Sequence, residues 1–271
     1  MRVALLVAYD GTGFEGFQRQ RATRRTVQGV LEGALATLLG QRVVVRGASR
    51  TDSGVHAWHQ VCDVAVPRAR VDPVRWPRAL AGLLAPDVAV LAAAPVPDAF
   101  DARRDAIEKT YRYLIHDLPV PHPLLARVSW HVPFPLDDVA MGRAAAALAG
   151  RRDFRALRGA GGPATSTVRT IHRVEVVRRG RELGITCAGS GFLYHMVRTI
   201  VGTLVEVGRH RLEPQALEGI LASGERARAG PTAPARGLHL VGIRYDPDPF
   251  PGSAPDVSGS WPHEPTEEER P

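Results

Sequence analysis

An apolar run from Val3 to Ala8 predicts a strand over Arg2–Tyr9. Between Thr26 and Leu39 the spacing changes. Val27, Val30, Leu31, Ala34, Leu35 and Leu38 recur at three- and four-residue steps, which lines one face of a helix, and Thr26 suits its N-cap. Val43–Arg46 and Gln60–Val66 predict strands on either side of a turn-rich stretch, GASRTDSGVHAWH; a helix over Val74–Leu84 and a strand over Val88–Ala94 follow. The second half repeats this order. Lys109–His116 predicts a strand whose ending, YLIHD, echoes LLVAYD in the first, then Leu136–Ala149 a helix and Ile171–Val177 and Leu183–Ala188 two strands. The block GFLYHMVRTIVGTLVEVG predicts a helix closed by Gly208, Pro214–Leu221 another, and Leu238–Tyr245 a last strand. Residues 151–170 predict a long basic loop. The pattern implies two consecutive α+β units, residues 1–105 and 106–245, each with a helix-covered antiparallel sheet. Past Tyr245 the chain turns to Pro, Gly, Ser and Glu, so 246–271 is expected to be a disordered acidic tail.

Composition narrows the function classes. At 44% apolar and 23% charged, 271 residues suit a globular protein with ample core. Cys62 and Cys187 stand far apart in no paired motif, which argues against a disulfide scaffold and suits a reducing cytoplasm. The first apolar run is too short for a signal peptide, and no stretch reaches the length of a membrane span, so the expected address is the cytoplasm. Charge is the informative quantity. The net +7 divides into −6 on residues 246–271 and +13 on the remainder, a body that attracts polyanions. Lys109 is the only lysine beside 34 arginines, a skew that a GC-rich genome also produces, so the sign of the charge carries the inference.

Gly11, Gly13 and Gly16 spell a literal G-x-G-x-x-G after the first strand. A dinucleotide site needs the third glycine at the start of a helix and an acid about 20 residues on at the end of a second strand. Here Phe17-Gln18-Arg19-Gln20-Arg21 follows, and the acid at the required distance, Glu32, falls in mid-helix. The stretch reads better as a mobile loop carrying Phe14, Phe17, Arg19, Arg21, Arg24 and Arg25. Aromatics among arginines suit nucleic acid, with its stacking faces and phosphates. A solvated basic loop fits the stretch equally well when it is taken alone.

The segment SRTDSGVHAWHQV, Ser49 to Val61, is good turn chemistry at Thr51-Asp52-Ser53-Gly54. It also resembles the GRTDAGVHA…QV signature of the tRNA pseudouridine synthase A family. YDGTGFEGFQRQ is similar to that family's opening loop, TVQGVLEGAL to its first helix, and FDARRDAIEKTYRY to its F-H-A-R…Y-R-Y segment. GFLYHMVRTIVGTLVEVG and APARGLHLVGIRY resemble its F-L-x-x-M-V-R helix and its final strand. The blocks keep the family's order over roughly residues 1–245.

The resemblance implies an isomerase that turns uridine into pseudouridine at positions 38–40 of the tRNA anticodon stem-loop, without metal or cofactor and as a homodimer. It implies two ferredoxin-like-type α+β units whose sheets join into one, with helices on one side and a basic cleft on the other. Asp52 would be the catalytic carboxylate and Arg198 the cation that keeps it charged. Tyr111 would be the aromatic that stacks on the target base, and Arg50 a binder of RNA backbone. Arg19, Arg21, Arg24, Arg25 and Arg103 are expected to contact RNA as well. Ser49 and Ser53 stand where the family usually has glycine and alanine, Phe17 where it has tryptophan, and Asp101 where it has histidine. Asp101 would put an acid near the RNA face. Two other classes compete. His56, His59, Cys62 and Asp63 mimic metal-ligand spacing, but on a strand Cys62 and Asp63 point to opposite faces. A non-catalytic RNA-binding protein would share the basic cleft, yet it gains nothing from a carboxylate aimed at a polyanion.

Overall fold

In the computed structural model the described residues are 1–20, 24–67, 71–162 and 164–253. The first apolar run forms β1 (Arg2–Tyr9), and the periodic segment forms α1 (Val27–Leu39), where Thr26 Oγ1 accepts from Gly29 N as the expected N-cap. β2 (Val45–Gly47) and β3 (His56–Ala65) follow, then α2 (Trp76–Ala81), preceded by a single 3₁₀ turn, and β4 (Val88–Val96). The second half supplies β5 (Glu108–His116), the two-residue β6 (Trp130–His131), α3 (Asp138–Ala145), β7 (Gly150–Asp153), β8 (Val168–Arg179) and β9 (Glu182–Gly189). It ends with α4 (Met196–Gly208), α5 (Ala216–Ser223) and β10 (Leu238–Arg244).

These ten strands of the described residues make one sheet in the order β4-β1-β3-β10-β5-β9-β8-β7, with β2 beside β3 and β6 beside β5. Most neighbours are antiparallel. The halves meet where β10 lies parallel to β3, His239 opposite His56, and antiparallel to β5. The last strand therefore crosses back to fill the gap between the units, burying Leu238, Leu240 and Val241.

The five α-helices of the described residues bury their apolar stripes against one sheet face, in a single cluster that takes in Leu5 of β1, Leu31 and Leu35 of α1, Tyr113 of β5 and Leu204 of α4. The opposite face carries a smaller cluster, in which Ala4, Leu6 and Val61 are covered by Ala102, Tyr245 and Phe250. Past Tyr245 the chain buries Phe250 in this cluster, while Asp246, Pro247, Asp248, Pro251 and Gly252 are exposed; the rest of the expected tail, 254–271, lies outside the described residues.

Three predicted elements came out differently. The basic stretch 151–170 begins within β7 and ends within β8, with a 3₁₀ turn at Arg155–Leu157 between them. The helix expected from Gly191 starts only at Met196, because His195 takes a left-handed backbone, φ 58°, and turns the chain before α4. Phe14 and Phe17, read as RNA-facing aromatics, are each 2% exposed and belong to the core. Apolar burial claims them first, so the opening loop has no free ring from either to offer a base.

Candidate active site

The loop between β2 and β3 is held from three sides. Fully buried Gln60 of β3 grips Ser49: its Oε1 accepts from Ser49 N at 3.1 Å, and its Nε2 donates to Ser49 O at 2.7 Å. Tyr9, at the end of β1, meets Thr51 Oγ1 through its hydroxyl at 2.8 Å. From the opening loop, Phe17 N donates to Thr51 O at 3.1 Å. Gly16 makes that approach possible. Its φ is +90°, and a Cβ there would lie 3.0 Å from Thr51 O. The G-x-G-x-x-G thus backs the Asp52 loop and opens no dinucleotide-binding helix; Gly11–Gly13 is a single 3₁₀ turn capped by Asp10.

Between this loop, β5 and the start of α4 lies a cleft of about 400 Å³. It opens on the helix-bearing face, contrary to the expectation of the bare face. Tyr111 points to the same side as Tyr113 and Ile115, the side on which α4 packs, and the first turn of α4 forms one wall. Asp52 is the sole carboxylate among the described lining residues. Arg50, Arg103, Lys109, Arg169 and Arg198 supply the cations.

Asp52 and Arg198, 146 positions apart in sequence, meet here: Arg198 Nη1 donates to Asp52 Oδ2 at 3.1 Å. The guanidinium is fixed from behind, its Nε donating to Ala233 O at 2.7 Å. With side chains 23% and 14% exposed, the pair is reachable from the cleft yet shielded enough for the charges to act at short range. A third group, absent from the sequence reading, completes the cluster. His195 Nε2 lies 3.3 Å from the same Oδ2, placed there by its left-handed backbone. Burial, with Arg198 and Arg226 nearby, pushes its pKa below the usual imidazole value against the pull of Asp52.

Tyr111 is 6% exposed. Its ring packs edge-on against Phe192, centroids 5.3 Å apart, and its hydroxyl meets Ser49 Oγ at 2.6 Å. Burial raises its pKa to about 12, so the phenol keeps its proton. Lys109, two residues earlier on the same side of β5, donates from Nζ to Ala48 O at 2.6 Å; burial and then Arg103 lower its pKa to about 8.

Arg50 and Arg103 are exposed and line the cleft. The described opening-loop arginines, Arg19, Arg24 and Arg25, do not line it, and each is paired with an acid. Arg19 meets Glu32 at 2.6 Å and Arg24 meets Glu15 at 2.5 Å, while Arg25 grips Asp87 through two bonds of 2.7 and 2.9 Å and covers the Phe14 ring. Arg21 lies outside the described residues. Asp101 does not face the cleft either: it pairs with Arg46 at 3.0 Å and caps the Arg103 and Arg104 amides. The residues with metal-like spacing are separated. Cys62 sits in the helix-side core, while Asp63, on the other face, is occupied by Arg2, Arg46 and the Ala102 amide.

Residues 5–105 and 144–246 match the family described as tRNA pseudouridine synthase. The chain belongs to that family and is an isomerase. Among its relatives, the tRNA pseudouridine synthase A of Moorella thermoacetica is 46% identical over 242 residues, covering 89% of this chain and 98% of the relative. The proteins of the same name from Methylobacterium radiotolerans and Ruminiclostridium cellulolyticum are 44% and 41% identical, over 91% and 90% of this chain and 98% and 99% of their own lengths.

Proposed function

We propose that this chain isomerises uridine to pseudouridine at positions 38–40 of the tRNA anticodon stem-loop, with Asp52 as the catalytic carboxylate acting on an everted nucleotide. The observation that carries the reading is the pairing of Asp52 with Arg198 in a cleft where, among the described lining residues, Arg50, Arg103, Lys109 and Arg169 are the other arginines and lysines. A polyanion repels a bare carboxylate, so a site built only to hold RNA gains by losing it. Glycosidic-bond chemistry requires it, to meet the ribose or the base while the bond at C1′ breaks and a new one forms at C5. Arg198 Nη1 and His195 Nε2 both lie against Asp52 Oδ2, at 3.1 and 3.3 Å.

The uridine must leave the helical stack to reach Asp52, at a cost of a few kcal/mol. Stacking on Tyr111 returns about 1–3 kcal/mol of it. Arg50, Arg103 and Arg169 are placed to hold flanking phosphates, and their charges draw RNA to the cleft. The working form is a homodimer in the cytoplasm.

The test is a nucleotide-resolved map of pseudouridine in unmodified tRNA incubated with the protein. New pseudouridine confined to positions 38–40 is expected. Product only elsewhere in the tRNA, or none, contradicts the assignment.

A further inference from the structure

Ser49 is the residue at which this chain departs from its family's usual glycine immediately before Arg-Thr-Asp, and it is the residue that Tyr111 touches. The two hydroxyls lie 2.6 Å apart, and either can donate. The contact joins the two halves of the molecule, 62 positions apart in sequence. Ser49 itself is held at both its amide and its carbonyl by buried Gln60. One step away, Lys109 Nζ holds Ala48 O. Two side chains from one strand therefore grip two successive residues of the loop that carries Asp52.

We propose that Ser49 is a positioning residue for the isomerisation: its hydroxyl ties the Tyr111 phenol to the Asp52 loop, so that aromatic ring and carboxylate keep one fixed spacing. The Tyr111 hydroxyl is thereby occupied by protein, and the ring offers the substrate only its face. A glycine at position 49 has no atom to supply this tie. A buried phenol without a partner seeks another one, and the ring moves with it. The inference rests on the reading that Tyr111 stacks on the base of the nucleotide on which Asp52 acts.

The test is a double-mutant cycle on kcat and KM for tRNA, with Ser49→Ala, Tyr111→Phe and the double variant. Each single change is expected to lower kcat about ten-fold with KM within about two-fold, since the geometry of the reacting centre suffers while RNA contacts stay. The double variant is expected to be no slower than the slower single, because both changes cut the same bond. Ser49→Thr, which keeps a hydroxyl, restores kcat to within about three-fold of wild type.

Multiplied losses in the double variant, or Ser49→Ala at the wild-type rate, overturn the proposal. A drop in melting temperature with kcat unchanged does the same, assigning Ser49 to scaffolding alone. Failure of the underlying reading registers elsewhere: Tyr111→Ala at the wild-type kcat removes stacking, and the proposal with it.

Discussion

Asp52 answers to two partners that the sequence presents unequally. Arg198 sits in a motif block whose residue types alone suggest a cation, and the structure brings it to 3.1 Å from Asp52. His195 stands three positions earlier in the same block, where the residue pattern gives it no separate role. Helical periodicity carries straight through GFLYHMVRT, and only tertiary packing turns His195 left-handed and aims Nε2 at the carboxylate. The signal available was chemical: a histidine beside the M-V-R turn. Arg19, Arg24 and Arg25 err in the other direction. Composition reports their charge but not Glu32, Glu15 and Asp87, which already hold them. Asp101 likewise proves to be a turn cap and a partner for Arg46.

Among the elements, strands with apolar alternation and α1 with its cap were legible to within a few residues. β7 was not. Its residues Gly150–Asp153 are exposed or half-buried at a sheet edge, so no alternation marks them, and pairing with β8 alone makes them a strand. The opening loop was legible as special, for a reason different from the one first suggested. Its third glycine lets the backbone lie against Thr51, next to Asp52. Gly16→Ala forces a Cβ into a φ of +90° and toward Thr51 O. Urea unfolding is expected to show a loss of about 1–3 kcal/mol for this strained position, and pseudouridine formation should slow with it. Unchanged stability and rate would mean that the loop does not brace the site.

For the whole molecule, the sequence indicated two similar halves. It did not indicate that β10 returns to seal them through a parallel pairing with β3, since strand order is set by long-range packing. That seam holds a stacked pair, His56 on His239, with ring centroids 4.7 Å apart. Burial, and then His56, lowers the pKa of His239 from 6.5 to about 3. Burial lowers His56, His59, His116 and His195 as well. Unfolded, these imidazoles take up protons as the pH falls below 6.5. Folded, they resist. The unfolded chain then binds more protons, so their contribution to stability is intact above that pH and is lost progressively below it. Melting temperature should fall steadily from pH 7 to 5, and His239→Phe should flatten the slope. A melting temperature independent of pH in that range would contradict the buried neutral seam.

The same enclosure gives the charged pair in the cleft its reach, and the claim that Asp52 performs the chemistry has one direct measurement. Asp52→Asn keeps the shape and removes the charge. In tRNA carrying tritium at uridine C5, the variant is expected to bind with affinity within about three-fold of wild type and to release no tritium. Tritium release at a rate comparable to wild type would contradict the account.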